Sequence, residues 1–503
     1  MTDTDAWASL GEQLASRPPI RRPWARLFVP DLALCLAALA MFCSLVFFDA
    51  PQNLFRDSAT GLEIQTGERI LDTHSLPRAD PFSFVHTGRR WIVTNWGADV
   101  ILGTVDRLTG LGGVAWLALL GLGVATWLWV RLHWAAGGNF FFTLALFIPF
   151  LAMLRDHLRA TSWLAGWIFL LAFLAYFEKV QPRFVLRSFA GFALAAALWA
   201  NLDSSFLLLP IIAMLYAIGH VVRPLLWTLD TKEEWRRAKW FAWVAVVTLA
   251  SGWLSNPYGM HFPGGSRSAP LPLFTLGLIC AGGVLALAQT KVAHFLLAFL
   301  LAGFTLAWPV HAPFLVLLLP LANGAITGAL RKSRNLRPAL RKRVTGFLQY
   351  SDHVRLRDAR FAGLLWSAFG ALLLMGWLAL PVVAVRTGLP PSEFPVYASA
   401  EFAVLPENVR LLAPPQYGDY LIYRFKGRLP VFVHSGMDGF DDLTQMRRGW
   451  IGQIQTFGFT HALLPVDSPL AQALEGMGWT PLFEDDASIL LRRNSTVPIG
   501  QQE

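Results

Sequence analysis

Cysteine is nearly missing from this chain: Cys35, Cys43 and Cys280 are the only three among 503 residues, and each falls inside an apolar run. No disulfide framework or cysteine metal site can be assembled from them, so they read as small packing residues. Charge is scarce too. Only 15% of residues are Asp, Glu, Lys or Arg, against about 25% in soluble domains, while 54% are hydrophobic and the mean hydropathy is +0.46. Such a chain reads as one that belongs in a bilayer. There is no GxxxxGK[ST] loop, no GxGxxG after a strand pattern, no HExxH and no GxSxG. Those absences argue against an ATP-driven pump and a standard serine hydrolase. The net charge of +9 is concentrated in a few short loops, a distribution that suits topology signals and argues against a nucleic-acid partner.

What the chain has in quantity is apolar runs. Those long enough for a core of about 30 Å, which takes about 17 to 25 helical residues, fall at 29–49, 109–130, 138–154, 162–178, 186–202, 205–222, 239–255, 270–289, 292–309, 312–330 and 361–386. The expected fold is therefore mainly α, a polytopic membrane bundle of about eleven spans. Arg21, Arg22 and Arg26 precede the first run, and no small-residue cleavage pattern follows it, so residues 1–28 are expected to be a cytoplasmic tail before a retained anchor. The bundle would occupy 29–386, with a basic cytoplasmic loop at 331–360 whose plain reading is a topology anchor touching anionic lipid. After the proline-rich LPPSEFPV, short apolar runs alternate with turn residues, as expected of a small soluble α/β domain over 387–503 on the extracytoplasmic side.

The polar stretch 55–108, between the first two apolar runs, far exceeds the 2 to 8 residues typical of helix connections and is expected to be a folded outer loop. Asp57 is a candidate general base or divalent-metal ligand, and also a candidate helix cap. Glu63, on the expected helix GLEIQTGERIL, is a candidate second carboxylate. Trp91 and Trp96 are candidates to stack on sugar faces, although Trp is common at membrane interfaces anyway. Arg78 and Asp80 suit a local pair in a rigid turn. Elsewhere, Arg155 and Arg159 suit a phosphate, and His157, Asn201 and Asp203 stand at the ends of expected spans, where polar groups are functional suspects. Interface snorkelling is the competing account for the arginines.

These segments, RDSATGLEIQTGERIL, LPRADPFSF and NWGAD, followed by WANLDSSF, NPYG, QYGDYLIYRF, LPVFVHSG and GWTPLFEDDASILLRR, together resemble a bacterial group of polytopic membrane proteins related to GT-C glycosyltransferases. The resemblance implies transfer of a sugar from a polyprenyl-phosphate carrier, a lipid-linked donor, to an extracytoplasmic acceptor in the bacterial inner membrane. It places the leading acid at Asp57 and a second acidic position at Asp99. The chain departs from the group's pattern at Ala59, Leu62, Glu63, Asn95 and Asp203, where the group shows aspartate, Trp-His, glutamate and histidine respectively. Those departures support an alternative, a non-catalytic scaffold or lipid-linked glycan transporter of envelope polysaccharide assembly. Membrane lipid is a partner under either reading; the sequence names no protein partner.

Overall fold

The structure, a computed structural model, describes residues 25–259, 271–333, 337–380, 383, 386–404, 409–437, 454 and 457–494. Helix α1 (Leu32–Val46) starts at Asp31, whose carboxylate accepts the Leu34 amide. Helix α2 (Ala59–Thr73) lies in the polar stretch, and α3 (Trp96–Ala136) runs 41 residues to Gly137, whose left-handed φ of 83° ends it. Within α3, Gly110 departs from helical geometry (φ 68°, ψ −169°), so the helix is two segments joined at a break. Asn139 then caps α4 (Phe140–His157) by accepting the amides of Phe141 and Phe142.

Next come α5 (Trp163–Phe177), α6 (Leu186–Leu202), a short 3-10 turn at Ser204–Leu207 continuing into α7 (Leu208–Leu226), and α8 (Thr231–Ser255). They are followed by α9 (Leu273–Leu287), α10 (Val292–Ala307), α11 (Leu319–Lys332), α12 (Pro338–Asp358) and α13 (Leu364–Leu378). Trp129, Trp167, Trp199 and Trp240 are fully buried at the centre of this helical body.

Near the C-terminus, β1 (Leu411–Leu412), β2 (His461–Pro465), β3 (Thr480–Glu484) and β4 (Ser488–Arg492) form one sheet in the order β1-β2-β4-β3, with β1 and β2 parallel and the other pairs antiparallel. The inner strands β2 and β4 are buried almost throughout, whereas β3 is an edge strand that tolerates Pro481 beside a register irregularity. Helices α14 (Pro415–Arg424) and α15 (Pro469–Gly476) flank it.

The polar stretch is pinned to this sheet region. Ser83 Oγ donates to the Phe432 carbonyl, Val431 N to the Phe82 carbonyl, and Phe84 N to the Val431 carbonyl. Asp80 meets His434 at 3.0 Å, with both side chains almost wholly buried, and Ser58 Oγ donates to Asp419 at 2.6 Å. Asp80 therefore pairs across 354 residues of chain rather than with its neighbour Arg78. Burial pushes the Asp80 carboxyl up, but the His434 contact and the amides of Phe82 and Ser83 outweigh it and hold the carboxyl below its ordinary value.

The fold corrects the expectation of a polytopic bundle of about eleven spans. Among the described residues, three helices are long and apolar enough to cross a membrane: Trp96–Ala136, Phe140–His157 and Ser204–Leu226. A fourth crossing is obtained only if the pair Pro309–Val316 and Leu319–Lys332, bent by 48°, counts as one span. The reason is helix length. The apolar runs near 29–49, 162–178, 186–202, 270–289, 292–309 and 361–386 are carried by helices of 15 to 17 residues. At 1.5 Å per residue those reach roughly 22 to 26 Å, short of the hydrocarbon thickness. The run at 239–255 belongs to α8, whose first turns, TKEEWRRAK, are charged. The expected multi-pass inner-membrane topology, cytoplasmic N-terminus and extracytoplasmic C-terminal end fall with that count. Arg21 and Arg22 lie outside the described residues.

Candidate functional site: a group of buried carboxylates

Two glycines build the site. Helices α2 and α3 cross so closely that a Cβ on Gly67 would lie 1.8 Å from the Asp99 carbonyl oxygen, and one on Gly103 would lie 2.6 Å from the Glu68 amide nitrogen. That crossing carries Glu63 on α2 and Asp99 on α3 into electrostatic reach of each other. The turn before α5 closes the group from the opposite side. Ser162 N and Oγ meet the two Glu63 carboxylate oxygens at 3.3 and 3.2 Å, and Asn95 Nδ2 donates to Ser162 Oγ at 2.9 Å. A hydrogen-bond chain thus runs from Asn95 through Ser162 to Glu63.

The acids are arranged around Glu63. Asp57 uses Oδ1 to accept the Ala59 amide at 3.1 Å, so it caps the start of α2 while acting electrostatically on Glu63. Asp203 comes from the junction of α6 with the 3-10 turn, where the Ser205 amide and hydroxyl both donate to its Oδ1. Gly166 on α5 makes room for it, since a Cβ there would lie 2.6 Å from that oxygen. Asp99 is 3% exposed, and its Oδ1 has no hydrogen-bond partner among the described residues.

Burial pushes the Glu63 carboxyl up to about 8; the charges of Asp57 and Asp203 add to the rise, while the Ser162 amide and hydroxyl oppose it. No cation of the described residues is among these influences. Burial likewise pushes Asp203 up to about 6 against the hydrogen bonds from Ser205 and Trp199. Glu63 is deeply surrounded by protein yet keeps part of its surface accessible, so it sits in a crevice rather than in a sealed core.

The remaining candidates are placed as follows. Trp91 is 5% exposed, donates Nε1 to the Gly436 carbonyl at 2.9 Å and stands edge-on to Phe82 and His434, so its ring belongs to the seam with the sheet region. Trp96 donates to Asn201 Oδ1 at 2.6 Å, tying the start of α3 to the end of α6. Asn256, from NPYG, reaches the carbonyls of Thr94 and Ala200 and holds the same corner. At the end of α4, Arg159 donates to the carbonyls of Leu158 and Asp156, His157 Nδ1 faces the Met153 carbonyl, and Arg155 is exposed. The structure thus gathers Asp57, Glu63, Asp99 and Asp203, while Arg159 reaches Asn53 just before the start of α2.

Ser162 was not among the residues singled out from the sequence. It stands in the short turn RATSW, where nothing in composition or spacing marks it.

Among the described residues, no group of three or more His, Cys, Asp or Glu side chains is placed to hold a metal ion. That finding, with the small number of helices able to cross a membrane, corrects the expectation of a polyprenyl-phosphate-dependent GT-C transferase. It corrects equally the many-span scaffold or glycan transporter set beside it. No family model matches the chain, and no curated protein matches it.

Proposed function

We propose that the Glu63 crevice is a proton donor and acceptor for a small ligand bearing a hydroxyl or amine. The observation that carries this reading is a carboxyl hydrogen-bonded by Ser162 and set among Asp57, Asp99 and Asp203, on a residue that keeps part of its surface accessible, with no cation of the described residues among the main influences on it. A carboxyl in that setting is protonated at neutral pH and poised near the working range of a general acid or base. When Glu63 gives its proton to a ligand heteroatom, the carboxylate left behind is held by the Ser162 N–H and O–H; the reverse step returns the proton. The neighbouring carboxylates favour a ligand that becomes positive on accepting it.

A hydrophobic carbodiimide attacks protonated carboxyls in apolar crevices, so the full chain treated with dicyclohexylcarbodiimide near pH 7 should be modified at Glu63. Peptide mass mapping should show the modification fading as pH rises above about 8 and lost in Glu63→Gln. Unmodified Glu63 at neutral pH would overturn the reading.

The same group sets a pH dependence. Its proton affinity is raised in the folded chain, so between its ordinary value of 4.5 and about 8 the native state binds more protons than the unfolded state. Its contribution is fully present below that window and is lost as pH rises through it. Thermal unfolding of Glu63→Gln in detergent at pH 5 and pH 9 should accordingly show a smaller loss toward alkaline pH than the unsubstituted chain.

A further inference from the structure

The chain path sorts charge to opposite ends of the helical body. The acids of the crevice lie where α3 begins and α6 ends, because Trp96 bonds Asn201 there and Asp203 follows directly. Helix α3 leaves that end and turns back into α4 through Gly137, Gly138 and Asn139 at the other. Helix α12 is anchored at this turn. Phe140 N donates to Ser351 Oγ at 2.9 Å, Arg355 reaches the Gly138 carbonyl at 3.5 Å, and Tyr350 stacks on Phe141 with centroids 5.8 Å apart. A crossing of the membrane by α3 and α4, two of the helices long and apolar enough for it, would set the turn joining them, and α12 with it, at the membrane boundary.

The flank of α12 beside this anchor, where Phe347 and Tyr350 pack in part on Phe141, suits such a boundary. Leu340, Arg343, Phe347, Tyr350 and Arg357 follow one another at spacings of three, four, three and seven residues, which places them on one helical face. All five are exposed, Leu340 by 48% and Tyr350 by 61%. Arg341 and Lys342 lie beside this stripe. None of Arg341, Lys342, Arg343 and Arg357 has an ion-pair partner among the described residues, whereas Arg331 and Arg355 are occupied by Asp352.

A second basic feature lies at the same end. Helix α7, starting beside the acids, ends there, and the first turns of α8 line an open pocket of about 370 Å³ with Lys232, Trp235 and Lys239, together with Phe184 and with Arg236, which is paired with Glu233. Cations interleaved with aromatic and aliphatic side chains are what a helix lying in a lipid headgroup layer requires: the apolar groups enter the acyl boundary and the cations meet phosphate.

We propose that α12 is an interfacial helix that binds the anionic headgroups of a bilayer at the end of the body opposite the acidic crevice. The test uses the full chain in nanodiscs of phosphatidylcholine alone and of phosphatidylcholine with phosphatidylglycerol, read by backbone hydrogen exchange over residues 338–358. Exchange should be slower with phosphatidylglycerol, and the difference should shrink as salt is raised. Each cation removed should weaken the anionic-lipid effect by about fivefold, so Arg341→Gln/Lys342→Gln/Arg343→Gln/Arg357→Gln should abolish it. Exchange in phosphatidylcholine should stay as in the unsubstituted chain, showing that the helix still folds. Equal exchange in the two lipids would overturn the proposal. So would equal protection in phosphatidylcholine discs by inorganic phosphate, which would mark a free-anion site, or by an oligonucleotide, which would assign the face to nucleic acid.

Discussion

Gly67→Leu is expected to prevent the chain from reaching its folded state. Even a Cβ at this position would stand 1.8 Å from the Asp99 carbonyl oxygen and 2.9 Å from the Val100 nitrogen. The obstacle is the backbone of a packed helix, which cannot swing away as a flexible side chain can. Overpacking a core commonly costs about 1 to 3 kcal/mol, and a whole leucine driven into backbone lies at or beyond the upper end. The expected result is loss of the monodisperse peak in size-exclusion chromatography in detergent. Gly191→Ala is the matched control, because nothing lies within 4 Å of a Cβ there. In the interior of α6 alanine should stabilise by up to about 1 kcal/mol. If Gly67→Leu instead folds with Glu63 still modified by carbodiimide, the close crossing is not what assembles the acidic group.

Asp80→Ala should have the second largest effect. It strands His434, which is 1% exposed, and leaves the amides of Phe82 and Ser83 without their acceptor. Removing one member of a buried pair typically costs about 3 to 5 kcal/mol. The loss should appear as early unfolding of the sheet region, seen as protease cleavage after residue 409 before the helical body yields. Asp72→Ala is the contrast: its pair with Arg107 is mostly exposed and should be worth under about 1 kcal/mol. The pH sign is opposite to that of Glu63. Because the Asp80 carboxyl is held below its ordinary value, its contribution is present above 3.8 and is lost only as pH falls through the lower folded value. Equal cleavage rates in Asp80→Ala and the unsubstituted chain would show that the seam does not rest on this pair.

Much of the polar stretch is legible in the sequence as a folded element, but what its motifs do is not. LPRADPFSF and LPVFVHSG look like chemistry because they combine prolines, a histidine, an acid and aromatics. In three dimensions those residues hold each other, through Asp80 with His434 and Ser83 with the Phe432 carbonyl. Hydropathy gave the positions of the apolar helices well and their number as crossings badly. An apolar run does not reveal where a helix stops, and the bend between Val316 and Leu319 or the 15-residue length of α9 follows from packing. Glu63 stood out from the sequence as an acid on a helix. Its environment did not, because that depends on a crossing of α2 with α3 for which the only signal is a glycine on each helix.

The break at Gly110 has a mechanical consequence. Asp99 rides on the segment before the joint and Glu63 on α2, which is locked to that segment at Gly67 and Gly103, whereas Ser162 belongs to the turn leading into α5, which packs on the segment beyond it. Flexing at that joint would therefore tilt the carboxylates as a block and strain both contacts that Ser162 makes across it, with Glu63 and with Asn95.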